Sequence, residues 1–120
     1  MDATDQDITN KLEAIRHAFS AQLPLKLKEI ENTWEVLCHN DWDKEQAIVL
    51  HRMIHTLTGS APTFGFITLG EECRTVEALI KLWLESNQPP DKHQRTILSG
   101  MISRFPDLVN DVEDPFVKET

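Results

Sequence analysis

Two histidines stand one helical turn apart in the stretch HRMIHTLTGSAPTFG, residues 51–65, and small residues follow them. As an i, i+4 pair, His51 and His55 could chelate Zn²⁺ from one helix face. Alternatively, one imidazole could act alone at a docking surface: its reference pKa of about 6.5 leaves the ring largely neutral at cytosolic pH, a competent nucleophile. The third reading is two ordinary solvated histidines. Arg52, Met53 and Ile54 lie between the pair, with no H-E-x-x-H glutamate and no clear third ligand, which leaves the metal reading the weakest.

The elements that must carry these residues share one period. Ile8, Leu12, Ile15, Phe19 and Leu23, then Leu27, Ile30, Trp34 and Leu37, recur at steps that only a helix turns onto one face. Pro24 interrupts that run, so the spacing predicts a helix over about 5–22, a kink or break, and a second over about 24–39. Asn40 or Asp41 can cap a third, whose apolar positions are Ala47, Leu50, Ile54, Leu57, Ala61 and Phe64. Phe66, Leu69, Cys73, Val76, Ile80 and Trp83 mark a fourth, ended by SNQPPD. A last helix opens near Asp91 and is expected to bury Ile97, Met101, Phe105 and Leu108, with Pro106 disturbing its end. No segment alternates with period two, so the expected architecture is all-α: an antiparallel four-helix bundle with an additional N-terminal helix.

The chain of 120 residues fits one domain, with a core over about 5–110 and a frayed tail at 111–120. Twenty acidic residues against twelve Lys and Arg give a net charge of −8, which repels phosphate backbones and anionic lipid and argues against nucleic-acid or membrane partners. The N-terminus is polar and acidic, and no apolar run reaches the roughly 18 residues of a spanning helix, so a cytoplasmic protein is expected. The Met start and the lack of an obvious linker favour a chain that stands alone. Cys38 and Cys73 sit in apolar patterns without a C-x-x-C pair and read as reduced thiols. Trp34, Trp42 and Trp83 read as core or capping aromatics, and His17, His39 and His93 as solvated.

The apolar stripe of the third helix points about 130° away from His55, which should therefore face water. Its surface neighbours are His51, Arg52, Thr58, Gly59 and Pro62. Glycine inside a helix costs about 1 kcal/mol relative to alanine. At position 59 it clears space one turn from His55, unless it serves a close helix crossing instead.

The stretch HTLTGSAPTFG, with Leu69, Cys73 and the Val76–Glu77 pair after it, resembles the signature of histidine-containing phosphotransfer (HPt) domains, roughly H-x-L-K-G-S-x-x-x-x-G. His55, Leu57, Gly59, Ser60, Gly65, Leu69, Cys73 and Glu77 fall in step, over about residues 47–80. The resemblance implies a four-helix bundle on which His55 accepts a phosphoryl group from a receiver-domain aspartate and passes it to another. It also implies that Gly59 keeps the ring accessible and that Gly65 closes the helix. Thr58 stands where the family usually has lysine. A hydroxyl can hydrogen-bond a phosphoryl oxygen without offsetting its charge, a task that Arg52 could take over.

The sequence therefore points to a phosphorelay intermediate with no kinase activity of its own. No Gly-rich phosphate loop or acidic Mg²⁺ cluster is recognisable, so the metal is expected on the partner and no cofactor on this chain. His55 is the expected phosphoacceptor, and His51, Arg52, Thr58, Gly59 and Pro62 are the expected partner-binding residues. The partners implied are response-regulator receiver domains and a hybrid sensor histidine kinase, bound by a monomer. The alternative is a non-catalytic bundle that binds receiver or kinase domains as a scaffold.

Overall fold

A computed structural model describes residues 3–110 and contains four helices: α1 (Ala3–His39), α2 (Lys44–Thr63), α3 (Ile67–Ser86) and α4 (Lys92–Leu108). The tail expected to fray, 111–120, lies outside the described residues. α1 packs on α2 and α4, and α3 packs on the same two, so the helices close a ring. Neighbours run antiparallel: Phe19 meets Phe64 and Trp34 meets Trp42 across α1 and the α2 entry, while Trp34 reaches Ser99 and Arg95 reaches Cys38 across α1 and α4.

The additional N-terminal helix expected from Pro24 is not a separate element, because α1 runs unbroken through that residue. An interior proline costs about 3 kcal/mol, through a lost amide donor and a steric clash. Leu23, Leu27 and Ile30 on the same face are almost fully buried, and each contributes about 1.5–3 kcal/mol, which outweighs that cost. Pro24 itself faces solvent. The N-terminal half of α1 extends past the bundle, leaving Ile8, Leu12 and Ile15 of the apolar stripe exposed.

The remaining boundaries follow local chemistry. α2 opens two residues later than expected, with Asp43 accepting from the Glu45 amide at 2.9 Å. It ends at Gly65, buried at φ 96°, a backbone conformation that suits glycine. Asn87 in the left-handed region closes α3 and accepts from Lys44 Nζ. Asp91 and Gln94 form a reciprocal capping box at the start of α4. The buried residues of α4 are Leu98, Ile102 and Phe105. Of the four expected, only Phe105 is fully inside: Ile97 is 48 % exposed, and Met101 and Leu108 are half-buried. The true stripe starts one residue later and keeps Phe105, so its mean direction turns by about 70°.

At one end of the bundle Trp34, Trp42 and Trp83 make an edge-to-face ladder with centroids 6.0 and 6.2 Å apart. Arg95 lies over the Trp42 ring and donates to the Cys38 carbonyl near the end of α1 and to the Pro90 carbonyl. Both cysteines are free, Cys73 buried and Cys38 half-buried.

Candidate functional site

α2 and α3 together build the site. Ile54 and Leu57 are buried at 0 % and 1 % exposure, and they anchor the helix with the intervening turn facing out. The His55 side chain is accordingly 68 % exposed at mid-helix. Arg52 and Gly59 flank it on the surface. A Cβ placed on Gly59 would meet nothing within 4 Å, so this glycine serves no helix crossing and the space beside His55 is open.

The ring is held from across the helix interface. His55 Nδ1 lies 2.5 Å from Glu77 Oε1 on α3. An ionised carboxylate can only accept, so Nδ1 carries the proton, and in the neutral ring the lone pair falls on Nε2 at the far side. The Glu77 side chain is 16 % exposed. Burial pushes its carboxyl up, but hydrogen bonds from His55 and Thr58, together with the charges of His55 and His51, outweigh burial and hold it below its ordinary value. Glu77 thus stays ionised and keeps its acceptor role. One turn before it, burial pushes the Cys73 thiol up to about 12, with help from Glu72 and Glu77, leaving that sulfur inert.

Glu77 is the residue whose part the sequence did not reveal. It falls in step with the signature, yet its partner lies 22 residues away on another helix, a contact that spacing within one helix cannot encode.

The expected partner-binding residues separate into two groups. Arg52 and Gly59 are exposed beside His55. His51 is turned inward: its side chain is 25 % exposed and its Nε2 is sealed from solvent. Thr58 is half-buried, with its hydroxyl donating to the Ile54 carbonyl at 3.0 Å and standing beside Glu77. Its single proton is therefore shared between that carbonyl and the Glu77 carboxylate, inside the bundle. Pro62, also half-buried, packs against Gly70 of α3, and α2 continues through it to Thr63. Among the described residues, no three His, Cys, Asp or Glu side chains are grouped to hold a metal ion, and no helix is long and apolar enough to cross a membrane.

The arrangement offers one exposed imidazole with a fixed tautomer, a cation one turn before it and a bare helical position one turn after it. A family model described as the Hpt domain matches residues 6–114 of the chain. No curated protein and no solved structure matches it.

Proposed function

The chain belongs to the Hpt domain family, which serves phosphotransfer in two-component signalling, and from that premise we propose that His55 is the phosphoacceptor of a relay between receiver domains. The observation that carries this reading is the exposed His55 ring with Nδ1 held by Glu77, which leaves Nε2 as the nucleophile.

In the forward step the Nε2 lone pair attacks the phosphorus of a receiver's aspartyl phosphate. The N–P bond forms as the P–O bond to aspartate breaks, and that electron pair leaves with the aspartate carboxylate. Positive charge gathers on the imidazole, and the ionised Glu77 beside Nδ1–H offsets it. In the return step a second receiver's carboxylate attacks phosphorus, and the N–P electron pair goes back to Nε2. Mg²⁺ held by the receiver would supply charge neutralisation of the phosphoryl group. This chain supplies the nucleophile, its tautomer and the clearance at Gly59. Arg52 is the cation at hand, since Thr58 brings no charge to the position of the family lysine.

The partners are response-regulator receiver domains and a hybrid sensor kinase, meeting a monomeric bundle. Incubation with a phosphorylated receiver, with Mg²⁺ present, should leave an acid-labile, base-stable phosphoryl group on this chain. Thr58 in place of the lysine favours a second reading, a scaffold that binds receivers without taking the group; stable binding with no label in any receiver pairing would establish it.

A further inference from the structure

His51 has no part in the relay chemistry, yet its environment is specific. Its ring lies nearly parallel to that of His55, 13° apart in plane and 6.1 Å between centroids. Its Nε2 is buried with no hydrogen-bond partner among the described residues, and Glu77 Oε1 stands 3.9 Å away. That is the same oxygen which His55 Nδ1 meets at 2.5 Å. One carboxylate oxygen therefore sits between two imidazoles, one on the sealed side and one on the exposed side.

A sealed imidazole nitrogen facing a carboxylate has only one favourable state. A lone pair at Nε2 would point two electron-rich atoms at each other in a site with little water, whereas an Nε2–H is attracted to Oε1. Contact at 3.9 Å exceeds a hydrogen bond, so the attraction acts as a restraint on the carboxylate's direction and draws Oε1 into the gap between the rings. The groups that act on Glu77 are His51, His55 and Thr58, all from α2, and Cys73 is the titratable neighbour on its own helix. Of these, Thr58 has one hydroxyl proton that the Ile54 carbonyl and the carboxylate both draw on, and His55 is the group being oriented. His51 is the one whose buried nitrogen has no other partner among the described residues and faces the carboxylate from behind.

We infer that His51 is a positioning residue: its Nε2–H fixes Glu77 Oε1 so that Glu77 holds His55 in the Nδ1–H tautomer. The inference deepens the relay reading by assigning a role within that same site, but its central observable does not require phosphotransfer. His51 acts through Glu77 and touches no phosphoryl group.

The test is side-chain ¹⁵N NMR on the whole chain at neutral pH. In the wild type, His51 should show the Nε2–H form and His55 the Nδ1–H form. In His51→Phe, which keeps a flat ring and removes the donor, the His55 tautomer ratio should shift about twofold, less than a full hydrogen bond would give, toward the Nε2–H form that a free histidine favours. In His51→Gln, which restores an N–H donor, the shift should be largely reversed. A His51 lone pair at Nε2 in the wild type overturns the inference without any variant, even should His51→Phe fail to fold. An unchanged His55 ratio in a folded His51→Phe overturns it as well. Should the wild type take no label from any receiver while the His55 ratio still follows position 51, the relay reading falls and this one stands.

Discussion

Pro62 of α2 lies directly on Gly70 of α3: a Cβ at position 70 would come within 2.4 Å of the proline Cγ and 2.7 Å of Cδ. The proline, expected from the sequence to face a partner, instead sets how closely α2 and α3 approach. Gly70 is buried, so the clash cannot be relieved into solvent. Gly70→Ala should destabilise the bundle by about 1–3 kcal/mol, the usual cost of overpacking. Pro62→Ala should remove most of that penalty in the double variant, because the two residues share one contact. Urea melts of the four proteins measure it, and additive effects would show that the contact is not the cause.

Gly59 is the opposite case, with nothing around its missing side chain. Gly59→Ala should raise stability by up to about 1 kcal/mol, since the backbone is helical and the space is open. Gly59→Glu should keep the helix content while placing bulk and negative charge beside the incoming phosphoryl group, and transfer should fall. Circular dichroism and label uptake read the two effects separately. Unchanged uptake would mean that clearance at this position does not matter.

Glu77 makes stability depend on acid in a definite direction. Its carboxyl is held below its ordinary value of 4.5, so the folded state releases this proton more readily than the unfolded chain. The stabilisation is present above that value and is lost as pH falls through the lower folded value. Glu77→Gln should cost about 1 kcal/mol at neutral pH, below the usual range for a charge-assisted bond, because water reaching the 68 % exposed His55 screens the pair. Denaturation of both proteins between about pH 3 and about pH 7 should show the difference closing at the acid end. A gap that widens in acid would reverse the assignment.

Much of this was legible in the sequence because helical spacing reports one helix at a time. Ile54, Leu57 and the exposed His55 followed from the period of α2 alone, and Asp91 announced the start of α4. What failed involved contacts between elements. Pro24 reads as a break until Leu23, Leu27 and Ile30 are seen buried along one uninterrupted face, and Ile97 reads as core until neighbouring helices select Leu98 and Ile102 instead. His51 shares the surface arc of His55 on a helical wheel, yet α3 brings Glu77 against both rings and turns His51 inward. Pairings such as His55 with Glu77 and Pro62 with Gly70 depend on how α2 crosses α3, which neither helix states by itself.

The central claim is that His55 carries the phosphoryl group, and its most direct measurement is label transfer from a phosphorylated receiver domain to wild type, His55→Gln and the control His93→Gln. Glutamine keeps a polar side chain at an exposed position, where substitutions usually change stability by less than about 0.5 kcal/mol. It cannot form a phosphohistidine. His93 is exposed on α4, far from Glu77 in sequence and outside the site. The account predicts acid-labile label on wild type and His93→Gln and none on a folded His55→Gln that still binds its receiver. Label persisting on His55→Gln would contradict it.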